Sequence, residues 1–333
     1  MYASGHRTRI NRSKRNLVVS NENTKTRVPI ESIDAVVLIG AATMTLDAIG
    51  SCVDRGVRVA VLKRSGALRW TAGPPVTGNV ALRRMQHQST THDSARLEVC
   101  RHLVGGKLQN SYRMVRRWAR DSSSRELRRR LESKADLIAT RLERIQSAHT
   151  ENHVRGIEGD AARSYFAALG SVVETAGWHF TNRNRRPPRD PVNALLSFGY
   201  GLLATELTGA LEAVGLDPQF GYLHRDRSGR PALALDVMEE FRVLADRVTV
   251  SALRRHQLKP EHFTLTPGGG TYLSKQGRSS FFAIWENHKN SAMAHHVLDR
   301  EVERWALPGV QATLMARYIR GDIPVYPPFV IQG

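Results

Sequence analysis

The spacing of apolar residues changes near residue 90, and this change constrains the fold more than any other feature. In the first part, short apolar runs at 17–19, Ala35–Ile39 and 57–62 lie between turn-forming residues, which is typical of β-strands. In the second part, apolar residues recur every three or four positions through 96–147 and 158–255, which predicts long helices. The two patterns indicate two kinds of architecture in one chain.

The sequence therefore predicts an α+β fold, in which a small β-rich N-terminal domain precedes a larger all-helical C-terminal domain. The expected boundaries are 1–90 for the first domain, 91–95 for a polar linker and 96–333 for the second. Within the second domain, the string PGGG at 267–270 predicts a loop or hairpin, and the segment 283–320 is expected to be helical.

Length and composition exclude several classes of protein. A chain of 333 residues with 41% hydrophobic residues is long and apolar enough for a sizeable core, which excludes a disordered chain. Its two cysteines, Cys52 and Cys100, exclude a disulfide scaffold and a cysteine-rich zinc module. The polar, basic start lacks the apolar core of a secretory signal, and the run near 35–46 is too short to span a bilayer. We expect a cytoplasmic protein that does not act at a membrane.

The charge points to an anionic partner. Lys and Arg number 49 against 31 Asp and Glu, a formal net charge of +18. Residues 1–150 hold 28 basic and 12 acidic residues, whereas residues 151–333 hold 21 and 19. Nucleic acid is the commonest partner of such a chain. The basic helices of 96–147 and the loop arginines Arg183, Arg185, Arg186 and Arg189 are candidates for phosphate contacts, and a solvated helix face is the alternative for each arginine.

Several catalytic signatures are missing from the chain. The sequence has no GxxxxGK[ST] phosphate loop, no HExxH string and no GxSxG string. These absences argue against a nucleotide-driven motor, a zinc protease and an α/β-hydrolase.

A set of oxygen and imidazole groups remains in the near-neutral part of the chain. Glu158 lies at the opening of a predicted helix, His224 precedes a turn, and Asp236 and Glu239 share one face at the start of another helix. One imidazole with two or three carboxylates suits Mg²⁺ or Mn²⁺, the cations that phosphodiester chemistry uses. The alternatives are helix-dipole stabilisation for Glu158, an N-terminal cap for Asp236 and Glu239, and a surface position for His224. Tyr165, on the helix face of Glu158, belongs either to the core or to a role in proton transfer or DNA contact.

Four strings in the chain, taken together, are specific for one family of proteins, whereas any one of them alone would be a modest indication. They are RGIEGDAARSYF, DPVNALLSFGYGLL, EAVGLDPQFGYLH and GRPALALDVMEEFRVLADR. With them, the chain resembles the CRISPR-associated adaptation integrases, the family usually called Cas one, over nearly its whole length. The resemblance implies metal ligands at Glu158, His224 and Glu239, with Asp236 supporting the site, and Mg²⁺ or Mn²⁺ as the cofactor.

The resemblance also implies a function and partners. It implies a metal-dependent DNA integrase and endonuclease that inserts short DNA spacers into a CRISPR array by attack of a 3′-hydroxyl on a phosphodiester. The implied partners are double-stranded and branched DNA, a second copy of the chain joined through the β-rich domains, and a small bridging protein of the Cas two family. Two alternatives stay open: a structure-specific DNA repair nuclease, and a non-catalytic basic nucleic-acid-binding protein.

Overall fold

The N-terminal part of the chain consists of short strands, as the sequence predicts. The computed structural model describes residues 1–4, 7–22, 24–33, 35–63, 68–74, 79–225 and 227–332. The N-terminal elements are β1 (Tyr2–Ser4), β2 (Arg9–Ser13), β3 (Asn16–Ser20), β4 (Lys25–Pro29), β5 (Ala35–Ile39), β6 (Thr43–Met44), α1 (Leu46–Val53), β7 (Arg58–Leu62) and β8 (Leu68–Ala72).

Within the described residues, these strands form two four-stranded sheets with the orders β4-β3-β2-β6 and β1-β5-β7-β8. Strand β5 pairs in parallel with β1 and β7 and has the continuous apolar sequence AVVLI. The run is continuous because both faces of the strand are covered. Val36 and Leu38 lie in the core of the N-terminal part, whereas Val37 and Ile39 join the core of the helices.

The C-terminal part is built around long helices, which confirms the predicted fold class. They are α2 (Val80–Thr91), α3 (Asp93–Arg120), α4 (Arg125–Arg144), α5 (Glu151–Glu174), α6 (Pro191–Ala213), α7 (Ala232–Arg254), α8 (Lys275–Lys289) and α9 (Leu307–Arg320). Helix α3 packs against α4, α5 and α7, and α7 also packs against α6. These contacts bring α3, α5 and α7 together at the centre of the helical part.

The C-terminal part, predicted to be all helical, also contains two β-hairpins. Strands β9 (Phe263–Leu265) and β10 (Thr271–Leu273) form a hairpin around the PGGG string, as that string predicts. Strands β11 (Ala292–His295) and β12 (Arg300–Glu303) form a second hairpin inside the segment expected to be helical. The helical expectation fails there because cross-strand pairing overrides the helix propensity of the sequence AMAH.

The predicted linker at 91–95 is almost entirely helical. Helix α2 ends at Thr91, His92 is extended with φ −91° and ψ 112°, and α3 begins at Asp93. Polar composition suggested a linker, but α2 packs against α3 and α9, and these tertiary contacts support the helix. The division of the chain into two domains remains a prediction.

Helix α6 has an unusual composition. It begins with Asp190 as the N-cap, whose Oδ1 accepts a hydrogen bond from Asn193 N at 2.8 Å, and Pro191 occupies the first turn. Among the described helices it is the one long and apolar enough to cross a membrane by length and composition. Its apolar residues instead pack against α7 and α9 in the core, which accounts for the apolar sequence.

The C-terminal tail is tied to α3 and α7 by buried hydrogen bonds. Asn110 Nδ2 donates to the carbonyl oxygens of Glu240 and Phe329 at 2.9 and 2.8 Å, and Asn110 Oδ1 accepts from Ile331 N at 2.8 Å. At Gly106, an added Cβ would lie 2.6 Å from Pro328 Cβ, so the tail approaches α3 as closely as a glycine permits. One asparagine therefore connects two helices and the tail.

We expect Asn110→Ala to loosen the tail. The substitution removes three buried hydrogen bonds and leaves their partners unpaired, so the free energy of unfolding should fall by about 2–3 kcal/mol. Urea unfolding measures this loss, and carboxypeptidase digestion should shorten the tail faster than in the wild type. Asn11→Ala, at an exposed position on β2, is the control. Equal resistance of Asn110→Ala and wild type to the protease would contradict the proposed anchoring.

Candidate active site

The four predicted site residues lie in one region, although they are far apart in sequence. Glu158 lies on α5, His224 lies in the loop before α7, and Asp236 and Glu239 lie on α7. His224 Nδ1 is 2.6 Å from Asp236 Oδ1, and His224 Nε2 is 3.9 Å from Glu239 Oε1. The side chain of Lys107 on α3 bridges the carboxylates of Glu158 and Glu239. The helical packing thus brings the predicted residues together.

Asp236 does not cap α7. The helix begins at Ala232, and the carbonyl oxygen of Pro218 accepts hydrogen bonds from Leu233 N and Ala234 N at 2.9 and 3.4 Å. Glu158 likewise lies two turns inside α5, which begins at Glu151. The capping and helix-dipole alternatives therefore do not describe these acids.

The carboxylate of Asp236 organises the preceding loop. Its Oδ2 accepts hydrogen bonds from Tyr222 N at 2.5 Å and Leu223 N at 2.9 Å, and its Oδ1 accepts from His224 N at 2.9 Å. Gly221 is needed beside it, because an added Cβ would lie 2.6 Å from Asp236 Oδ2. Asp236 is fully buried, and these donors replace the water that it loses.

The same carboxylate orients the imidazole of His224. Because Nδ1 faces Asp236, the other ring nitrogen, Nε2, is turned toward Glu239. A carboxylate behind a histidine is the usual arrangement that fixes the tautomer of a metal-binding imidazole. The side chain of His224 is 19% exposed, so it belongs to the site rather than to the open surface.

Two cations compensate the buried carboxylate of Glu239. Arg242 donates to it from Nε and Nη2, both at 2.8 Å, and Lys107 Nζ lies 2.6 Å from its Oε2. Burial opposes ionisation of Glu239, but Arg242 and Lys107 outweigh it, and the pKa of Glu239 is held well below its usual range. Burial likewise opposes the charge on Lys107, but Glu239 and Glu158 outweigh it and raise the pKa of the ammonium.

Two buried tyrosines, Tyr200 and Tyr165, lie beneath the site, and Tyr200 contacts Arg242. Its guanidinium carbon lies 4.5 Å from the ring centre of Tyr200, a cation–π arrangement. The hydroxyl groups of Tyr200 and Tyr165 donate to Asp246 at 2.6 and 2.8 Å. Tyr165 is buried and is engaged with this acid, so it belongs to the core layer under the site.

A cleft of about 900 Å³ is lined by Glu158, His224 and Glu239 together with Lys107 and Arg242. Its wall carries the arginines of the loop before α6 and one arginine before α7: Arg183, Arg185, Arg186 and Arg230. Arg183 is anchored by Asn193 Oδ1 at 2.8 Å and Ser197 Oγ at 3.0 Å, whereas Arg185 and Arg186 are exposed. An acidic centre beneath a basic rim suits a phosphodiester when a divalent cation separates the acids from the phosphate, because the rim attracts the anion and the cation offsets the repulsion between the acids and the phosphate.

The donor types of the site fit a hard divalent cation. Carboxylate oxygen and imidazole nitrogen are the ligands that Mg²⁺ and Mn²⁺ take. Across the described ranges, no three His, Cys, Asp or Glu side chains converge closely enough in this arrangement to hold a metal ion. The ammonium of Lys107 lies instead between Glu158 and Glu239, so the two acids already share a cation. That bridge is the observation in favour of a divalent cation at the same place.

Sequence reasoning missed Lys107 and Arg242 as site residues. Arg242 carried a signal, because it stands three positions after Glu239 and shares its helix face. Lys107 carried none, since it is one of 49 basic residues and reaches the site only through the packing of α3 against α5 and α7.

We expect Lys107→Met to tighten Mn²⁺ binding. The ammonium competes with a divalent cation for Glu158 and Glu239, and its loss should strengthen binding by on the order of tenfold. Without metal, the same variant should unfold at a lower temperature, because the two carboxylates lose their shared cation. Electron paramagnetic resonance of free Mn²⁺ and thermal unfolding in EDTA measure the two effects. Lys289→Met, which removes the Lys289–Glu206 pair at 2.9 Å elsewhere, is the matched control. Unchanged or weaker binding by Lys107→Met would refute the competition.

The pH dependence of stability tests the cluster around Asp246. Burial raises the pKa of Asp246 to about 6, and hydrogen bonds from Tyr200 and Tyr165 offset this only in part. Between the unfolded pKa of about 3.9 and the folded value, the folded state keeps a proton that the unfolded chain has released. The contribution of this group to stability is therefore lost as pH rises through that window.

We expect the free energy of unfolding of the wild type, relative to Asp246→Asn, to fall by up to about 3 kcal/mol between roughly pH 4 and pH 7. Urea titrations at several pH values give the two curves, and the titration of all other groups cancels in their difference. A difference that stays constant across the window would show that Asp246 does not titrate there.

Comparisons with known proteins identify the family of the chain. The family described as CRISPR associated protein Cas1 matches residues 1–287. The CRISPR-associated endonuclease Cas1 1 of Moorella thermoacetica is 38% identical over 311 residues, which cover 92% of this chain and 91% of that protein. A casposase bound to integration product has a similar fold, with a TM-score of 0.85 and 21% identity over 98% of this chain and 92% of the casposase chain. In a Cas6-RT-Cas1–Cas2 complex, 36% of one longer chain matches the whole of this one, with a TM-score of 0.80 and 22% identity. The sequence matches confirm the resemblance predicted from the four strings, and the chain belongs to the Cas1 family of CRISPR-associated proteins.

Proposed function

We propose that this protein is a divalent-metal-dependent DNA endonuclease and integrase of CRISPR adaptation, which inserts short DNA spacers into a CRISPR array. The observation that carries the proposal is the cleft in which Glu158, His224 and Glu239 lie together under a basic rim. Membership of the Cas1 family supports it, as do the endonuclease name of the Moorella thermoacetica relative and the integration product held by the casposase.

In this proposal, Glu158, His224 and Glu239 hold Mg²⁺ or Mn²⁺, and Asp236 holds the imidazole in place. Such a cation supplies Lewis-acid stabilisation of the charge that develops on phosphate oxygens. The chain supplies the rest. The exposed Arg185 and Arg186 bind the phosphate backbone and align the donor end with the target strand. The reaction exchanges one phosphodiester for another, so it needs no nucleotide hydrolysis, in agreement with the lack of a phosphate loop in the sequence.

The partners follow from the same proposal. Double-stranded and branched DNA are the substrates, and the charge of +18 suits them. The complex whose printed name joins Cas1 with Cas2 supports a small bridging partner of the Cas2 family. We further propose a homodimer formed through the N-terminal strands and a cytoplasmic location.

We expect Glu158→Gln, His224→Ala and Glu239→Gln each to lower the rate of spacer integration by about a thousandfold or more, because each removes a ligand of the charge-stabilising cation. Affinity for duplex DNA should stay within about twofold, since backbone contacts come from the basic rim. The assay joins a labelled short duplex to a repeat-containing plasmid with Mn²⁺ or with EDTA. Glu174→Ala, an exposed acid on the same helix as Glu158, is the control.

Integration at the wild-type rate by a folded variant of any of the three residues would remove that residue from the site. Equal joining on plasmids with and without the repeat would favour a repair nuclease. Duplex binding with no joining or nicking in any metal would favour a non-catalytic binding protein.

A further inference from the structure

The peptide groups around residues 222–224 hydrogen-bond to charged side chains on two opposite sides. On one side, three backbone N–H groups donate to Asp236, as described above. On the other side, Arg96 Nε donates to the carbonyl oxygen of Tyr222 at 2.9 Å. Arg155 donates to the carbonyl oxygen of Leu223 from Nε at 3.1 Å and from Nη2 at 2.7 Å. The loop is thus held between an anion and two cations, and such bonds polarise and strengthen one another.

Glu151 joins the two arginines. Its Oε1 lies 2.9 Å from Arg96 Nε, and its Oε2 accepts from Arg155 Nη2 at 2.9 Å. The three side chains are only 22–29% exposed, so they are partly shielded from water and from screening by salt. Because Glu151 is the first residue of α5 and Arg96 lies in the first turn of α3, this ion-pair cluster ties both helix starts to the loop.

Arg155 stands three residues before Glu158 on the continuous helix α5 and therefore lies on the same helix face. Its guanidinium donates two hydrogen bonds to the carbonyl oxygen of Leu223, which belongs to the peptide group that joins Leu223 to His224. This side chain therefore links the backbone next to His224 directly to α5, the helix that carries Glu158. Asp236 orients the imidazole relative to α7, whereas Arg155 locates it relative to α5.

We propose that Arg155, with Arg96 and Glu151, is a positioning residue that fixes the loop of His224 against α5 and thereby supports the binding of a divalent cation by His224 and Glu158. The proposal rests on the function proposed above, in which Glu158 and His224 are ligands. The change in cation affinity that this proposal predicts for Arg155→Ala is opposite to the change that a simple charge effect would give. Removing a positive charge near a cation site strengthens cation binding, whereas releasing the loop weakens it.

The experiment measures Mn²⁺ affinity of the full-length protein by electron paramagnetic resonance of the free ion, without DNA. Removal of groups that orient metal ligands typically weakens metal binding by about 10–100-fold, and we expect Arg155→Ala to lie near the lower limit, at about tenfold. Arg96→Ala should weaken binding less, because its target, the Tyr222 carbonyl, lies one residue further from His224. Arg155→Lys keeps one donor for the Leu223 carbonyl and should recover part of the loss.

Arg163→Ala is the matched control, because Arg163 also lies on α5 but pairs with Asp160 at the surface. His224→Ala provides the reference for a lost ligand. Amide hydrogen exchange of residues 222–224 should also accelerate in Arg155→Ala and not in Arg163→Ala. If Arg155→Ala does not fold, Arg155→Lys and Arg96→Ala carry the test with the same readouts.

Two results would overturn the positioning role: wild-type or tighter Mn²⁺ binding by Arg155→Ala while His224→Ala binds weakly, or full loss without any recovery in Arg155→Lys. If His224→Ala itself binds Mn²⁺ as the wild type does, the proposed metal site is wrong. The failure of the function proposal and the failure of this inference are thereby separated.

Discussion

The carboxylate of Asp236 is the interaction on which the arrangement of the site depends. A fully buried carboxylate is costly unless donors surround it, and here three backbone N–H groups and one imidazole nitrogen do so within 2.9 Å. The loop can supply these donors only by wrapping around the carboxylate, which leaves no space for a side chain at position 221. Since Asp236 and Glu239 lie one turn apart on α7, the same acid that shapes the loop also brings the imidazole of His224 to face Glu239.

The negative charges of Glu158 and Glu239 are compensated in part by a positive charge from the other, basic part of the chain. The basic excess lies in residues 1–150, yet one of those residues, Lys107, lies between Glu158 and Glu239 of the near-neutral part. Helix α3 carries it there because it packs against both α5 and α7. The uneven division of charge along the chain is therefore not kept at the site, since Lys107 from the basic part lies between acids of the near-neutral part.

Sequence patterns predicted the fold where local pattern and packing agree, and failed where packing overrides the pattern. Strand β5 is recognisable in the sequence because burial on both faces requires an uninterrupted apolar run. The polar residues at 91–95 are mostly helical and the helix-prone residues 292–295 form a strand, because tertiary contacts that no local pattern reveals determine their structure. The three acids and the histidine of the site received their roles through a family resemblance, because their spacing alone also fitted caps and helix dipoles. Lys107 and Arg155 could not be named, because their roles depend on which carboxylate or carbonyl oxygen they meet across helices.

Helix α7 shows why Glu239, among its buried acids, is suited to bind a cation. Burial raises the pKa of Glu240 to about 8 and that of Asp246 to about 6, because their neighbours are mainly neutral donors. Glu239 meets Arg242 and Lys107 instead, and these hold its pKa well below the usual range despite its burial. A carboxylate that is kept ionised by nearby cations retains its charge when one of those cations is exchanged for a divalent ion. The neutral donors around Glu240 and Asp246 stabilise the core, whereas the cations around Glu239 keep a negative charge available at the cleft.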